Sequence, residues 1–160
     1  MYLSSNKQSG AGMVEVLVAL VVISVGMLGI AALYVTTLQA KTTSLSRMNA
    51  VNLAYDLADR IRANRDGAAS YVVANGLTVT SPAQNCRSGT DCSTDEMAAQ
   101  DLWEWRNLLT STTTGLPGNV TAVVEQTAAA TATTPLVLTI RLGWSEKNVT
   151  GLTYALQVQI

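Results

Sequence analysis

Lys7-Gln-Ser-Gly10-Ala11-Gly-Met-Val-Glu15-Val-Leu-Val-Ala-Leu-Val-Val-Ile-Ser-Val-Gly-Met-Leu-Gly-Ile-Ala-Ala-Leu33 decides the fold. From Ala11 to Leu38 the one charged side chain is Glu15. A bilayer core needs about 20 apolar residues as helix, and this run supplies them. It is longer than the apolar core of a secretory signal peptide, and no compact small-residue cleavage site follows a polar break at its end. The reading is therefore a retained membrane helix. Within it, a carboxylate near the start costs about 3 kcal/mol on insertion scales, so Glu15 calls for a partner or a shallow position among headgroups.

Composition narrows the function class. The chain has 160 residues, a formal net charge of -1 and no histidine. Arg60, Arg62 and Arg65 sit among Asp56, Asp59 and Asp66, which leaves no electropositive footprint for nucleic acid. Without histidine, the commonest general base and nitrogen metal ligand are both missing. No paired carboxylates, serine with a base or activated thiol replace them, so no catalytic residue, metal site or cofactor is expected, and an anchored enzyme is the weakest reading.

The leader resembles that of the type IV prepilins, in which a peptidase cuts after a glycine and glutamate is fifth in the mature chain. A cut after Gly10 makes Ala11 first and Glu15 fifth, whereas a cut after Gly12 puts Leu17 there. Ala11 stands where the family usually has phenylalanine or methionine. The resemblance implies removal of residues 1–10, N-methylation of the new Ala11 amine, and pairing of Glu15 with such an amine on a neighbouring subunit. A charge pair in low dielectric attracts strongly but loses hydration, so it fixes register more than it adds stability. Lys7 and the initiator amine favour a cytoplasmic amino end.

The helical pattern continues past the membrane. Met48, Val51, Tyr55, Ala58 and Ile61 recur at spacings of three and four, with Asn49, Asn52, Asp56 and Arg60 on the opposite side. Residues 39–65 thus read as an amphipathic half-helix after a membrane half at 11–38, ending near Asn64-Arg-Asp-Gly67, where the glycine serves as cap. Such a helix is about 80 Å long. Its first half has no proline, the first being Pro82, so any bend falls at Gly26 or Gly29.

The rest, 66–160, reads as a periplasmic head. A polar loop from about Asp66 to Ser93 contains Cys86 and Cys92. Two thiols five residues apart, without histidine, fall short of a zinc set and are too widely spaced for a redox pair. A structural disulfide is expected, contributing about 2 kcal/mol and requiring an oxidising compartment. Ser93-Thr-Asp-Glu96 is a capping box opening a second helix at about 94–110. Ala98, Leu102, Trp105 and Leu109 form its apolar face, with Trp105 in the core and Trp103 on the flank. Pro117-Gly118 marks a turn. Strands are expected at about 119–126, 135–144 and 151–160. In the second, Leu136, Leu138, Ile140, Leu142 and Trp144 alternate with Val137, Thr139, Arg141 and Gly143; in the third, Leu152, Tyr154, Leu156, Val158 and Ile160 occupy one face. Period-two patterning describes an antiparallel sheet covered on one side. Ala128 to Thr134 reads as a loop.

Three segments resemble the minor pilin family PilV, or type IV pilus modification proteins: Glu15-Val-Leu-Val-Ala-Leu-Val-Val-Ile23 with Gly26 and Leu28-Gly29; Asp56-Leu-Ala-Asp-Arg-Ile-Arg-Ala-Asn-Arg65; and Asp101-Leu-Trp-Glu-Trp-Arg106 followed by Leu116-Pro-Gly118. The fold expected is α+β and type IV pilin-like: a long amino-terminal helix spine packed on a small antiparallel sheet with one additional helix. The resemblance implies a low-abundance subunit of the inner membrane, then of the pilus, supporting adhesion or twitching motility. Its implied partners are the prepilin peptidase, other minor pilins, the major pilin, a tip adhesin and the inner-membrane assembly platform. A minor pseudopilin of a type II secretion system shares the leader and is the alternative.

Overall fold

The structure is a computed structural model, described for residues 12–88, 91–131, 134–146 and 149–160. Gly10 and Ala11, and the leader before them, lie outside the described residues. The elements are a helix α1 at Met13–Ala63, two 3-10 turns at Arg65–Tyr71 and Gly76–Thr78, a helix α2 at Thr94–Leu109, and strands β1 at Thr121–Ala128, β2 at Val137–Glu146 and β3 at Val149–Gln159. The chain divides into two compact units between Thr42 and Thr43.

In the first unit α1 is exposed on every side, and its surface is made of large apolar side chains such as Met13, Leu17, Ile23, Leu28 and Leu33. It is long and apolar enough to cross a membrane. Its serine and threonine hydroxyls are turned inward to the backbone: Ser24 donates to the Leu20 carbonyl at 2.7 Å, Thr36 and Thr37 to that of Leu33 at 2.8 and 2.6 Å, and Thr42 to that of Leu38 at 2.7 Å. Hydrocarbon offers these groups no other partner, so back-bonding lets an apolar segment tolerate them.

In the second unit, one hydrophobic core joins α1, α2 and the sheet. The sheet has the order β1-β2-β3 with both pairs antiparallel, Val124 opposite Ile140 and Ile140 opposite Leu156. Leu138, Ile140, Leu142 and Trp144 alternate into the core from β2, and α1 packs on that face. Trp105 is fully buried, and its indole Nε1 donates to the Leu53 carbonyl of α1 at 2.8 Å. The capping box of α2 is present: Ser93 N–H donates to Glu96 Oε2 at 2.8 Å, and Glu96 N–H to Ser93 Oγ at 3.3 Å.

The structure differs from the sequence expectations at five points. The buried stripe of α1 is Ser46, Ala50, Leu53, Ala54, Leu57, Ala58 and Ile61, while Met48 and Tyr55 are exposed. Spacings of three and four describe adjacent helix faces equally well, and the sheet chose the face with the alanines. Arg60, placed on the polar side, is instead drawn against α2. The polar loop after α1 holds the two 3-10 turns, with Ala68 and Tyr71 buried and Val73 bridged to Val124. Gly67 does not cap α1 through a left-handed conformation; it is buried, and a Cβ there would lie 2.7 Å from the Thr94 carbonyl oxygen. The strands are also displaced: β1 and β2 begin two residues later than expected, β1 takes in Ala128, and β3 begins at Val149. β1 gains length because Ala128 pairs with Val137 across a register shift.

Candidate assembly site

Glu15 lies in the first turn of α1, where its own N–H donates to the Gly12 carbonyl at 2.9 Å. The side chain is exposed and has neither an ion pair nor a hydrogen bond among the described residues. No other charged residue occurs until Lys41. The first unit therefore presents one isolated acid at the end of an apolar rod.

The second unit contains a clasp built on Arg60. Its Nε bonds Asp56 Oδ2 at 3.0 Å one turn back, while Nη1 reaches Asp101 Oδ1 at 3.0 Å and Glu104 Oε2 at 2.8 Å on α2. Tyr71, from the first 3-10 turn, donates its hydroxyl to Asp101 Oδ2 at 2.6 Å. Asn64 donates to the Thr94 carbonyl at 2.7 Å at the start of α2. Gln100 Nε2 bonds Glu104 Oε1 at 2.8 Å, and Arg87 pairs with both carboxylate oxygens of Glu104. Arg87 follows Cys86, which is disulfide-bonded to Cys92 with Cα atoms 5.8 Å apart. The bridge thus closes the loop that delivers Arg87.

The electrostatics match this geometry. The Arg87 hydrogen bonds, opposed by burial and helped by Arg60 and Gln100, hold Glu104 down at about 2. Burial pulls Arg60 downward, but its bonds to Glu104 and Asp56 outweigh it and leave the guanidinium above its ordinary value. Burial, then the bond to Asp101, raises the Tyr71 hydroxyl. These are partly buried charges whose donors and acceptors are met, the condition under which such a network specifies one packing. Among the described residues no group of three or more Asp, Glu, Cys or His side chains is disposed to hold a metal ion.

Sequence reasoning singled out the segments Asp56–Arg65 and Asp101–Arg106 without seeing that they meet. The Asp56/Arg60 spacing of four was a visible signal for part of the clasp. The Gln100/Glu104 spacing of four within α2 was another; Tyr71 and Arg87 carried none, because their partners lie on other elements.

Two comparisons match. Residues 5–31 match the prokaryotic N-terminal methylation motif, and residues 32–103 match the family described as Tt1218-like, type IV pilin Tt1218. No curated protein and no solved structure matches the chain. The two matched stretches follow one another without a gap, and the long amino-terminal helix packed on a small antiparallel three-stranded sheet with a second helix is consistent with the type IV pilin fold.

Proposed function

We propose that the chain is a minor pilin of the PilV kind, which helps initiate type IV pilus assembly and joins a complex at the fibre tip. In this reading residues 1–10 are a leader removed by the prepilin peptidase between Gly10 and Ala11. Residues 11–38 anchor the subunit in the inner membrane, 39–65 continue the helix into the periplasm, and 66–160 complete the head. The mature Ala11 amine is N-methylated. Glu15 then meets the amino terminus of an adjacent pilin as the subunit leaves the membrane.

The supporting observation is Glu15 itself: an exposed, unanswered carboxylate at the head of an apolar helix, five residues after Gly10. In hydrocarbon an ionised group needs a counter-charge, and none is offered by the described part of this chain. A neighbouring subunit's amine supplies one at a fixed height, converting an insertion penalty into register. The Asp56–Arg65 segment favours the pilus over a secretion pseudopilus. The test is the amount of Glu15→Ala protein in sheared fibres, relative to the amount in the membrane fraction. Depletion from fibres with normal membrane levels supports the reading; equal incorporation defeats it.

A further inference from the structure

The two edges of the sheet differ. β1 is closed on its outer side by Val73, which exchanges two backbone hydrogen bonds with Val124 at 2.9 Å each, and it carries Glu125 in an ion pair with Arg141. Among the described residues β3 has neither protection. Val149-Thr-Gly-Leu-Thr-Tyr-Ala-Leu-Gln-Val-Gln159 is 11 residues long and contains no charged side chain and no proline. Natural sheets ordinarily guard such an edge with lysine, proline or a covering segment, because its unpaired N–H and C=O groups are a template for another strand. Their orientation follows from the ladder. Ile160 N–H bonds the Leu136 carbonyl at 3.0 Å, so residues of the same parity face β2, and Thr153, Ala155 and Gln157 direct their backbone groups outward. The side chains of these three are exposed.

At the start of this edge lies a cleft of about 430 Å³ lined by Arg47, Val51, Trp144, Leu152, Thr153 and Tyr154. Leu152 and Tyr154 share one face of β3 while Thr153 belongs to the other, so the cleft reaches the strand's margin. Arg47 is exposed and has neither an ion pair nor a hydrogen bond among the described residues. Glu146, the acid at the adjoining end of β2, is already engaged with Thr43 at 2.6 Å and with Trp144 at 3.2 Å.

We propose that β3 receives an extended segment of a different polypeptide as a fourth strand, with an acidic side chain of that segment reaching Arg47 at the cleft. Main-chain pairing supplies the affinity in such an addition, and the side-chain pocket supplies selection. Charge decides against a second copy of this chain as the occupant: β3 carries no acidic side chain, so β3 pairing with β3 offers Arg47 no Asp or Glu. The inference rests on the reading of the chain as an assembly subunit, since that reading brings a partner to the head.

The test replaces Ala155 by p-benzoylphenylalanine in the full-length chain, in cells that assemble the fibre, and maps the peptide joined to it on irradiation. One dominant adduct is expected, to a segment of another protein containing Asp or Glu. Arg47→Glu is expected to reduce it about fivefold. Gln157→Pro, which removes an outward N–H and no bond within the sheet, is expected to abolish it with the thermal midpoint unchanged. Glu125→Ala on the opposite edge is expected to leave it intact. Overturning results are an adduct no stronger than from a probe at exposed Thr112, linkage to β3 of a second copy, or an adduct indifferent to Arg47→Glu. Leader removal is read in the same sample. A processed chain without the adduct sinks the strand-addition inference alone, whereas an unprocessed chain sinks the pilin reading on which it rests.

Discussion

Arg60 Nη1 bonds Glu104 Oε2 at 2.8 Å across 44 residues of chain, and that contact locks the end of the long helix to the second helix. Arg60 is the hub: its removal leaves Asp56, Asp101 and Glu104 as three neighbouring acids without their shared cation. Arg60→Met is therefore expected to destabilise the head by about 3 kcal/mol. Arg62→Ala removes only an exposed pair with Asp59 and is expected to cost no more than about 0.5 kcal/mol. Urea unfolding of the full chain in detergent micelles, followed by tryptophan fluorescence, separates the two.

The same clasp sets the pH response. The Glu104 carboxyl is held at about 2 against an ordinary 4.5, so the folded state favours its ionised form. Its contribution is fully present above pH 4.5 and is lost as pH falls from there toward 2. Tyr71 works in the opposite sense. Its hydroxyl is raised above 10.0, so the neutral form is favoured and its contribution declines as pH rises beyond that value. The thermal midpoint is expected to fall on both sides of this window, and Glu104→Gln is expected to flatten the acid limb while leaving the alkaline one.

Reduction of the Cys86–Cys92 bridge is expected to cost about 2 kcal/mol by releasing the loop in the unfolded chain. Because Arg87 follows Cys86 directly, reduction also loosens its hold on Glu104. The acid limb should therefore move toward higher pH in reductant. An unchanged limb would show that Arg87 keeps its place without the bridge.

Among the described residues two glycines have positive φ, Gly118 (66°) and Gly151 (73°). A Cβ on Gly118 would also meet Ser145, whereas one on Gly151 finds open space. Gly151→Ala is thus expected to cost about 1 kcal/mol for the left-handed backbone alone. Gly118→Ala is expected to cost about 3 kcal/mol, because steric overlap with Ser145 adds to that strain. Thermal unfolding of the two variants side by side checks the difference.

What could be read from sequence was local. The apolar run, the Ser93/Glu96 box and the alternation in β2 are patterns whose partners lie within a few residues, and each appears in the fold. The phase of the α1 stripe was not local. Met48 and Tyr55 are larger than Ala50 and Ala54, yet the alanines are buried, because the position of the sheet decides which face is covered. Tyr71 was invisible for the same reason: a single aromatic residue in a polar stretch, with Asp101 30 residues away. At the candidate assembly site Glu15 is legible from sequence alone, since a lone charge in an apolar run needs no tertiary information to be noticed.

In the proposed function the chain enters a fibre as a processed subunit whose fifth residue is Glu15. Mass spectrometry of the amino terminus of protein taken from fibre-producing cells tests it most directly. The expected product is a chain beginning at N-methylated Ala11, with an unprocessed precursor when Gly10→Ala is introduced. A chain still carrying its first ten residues in cells with working fibres, or normal maturation of Gly10→Ala, would contradict it.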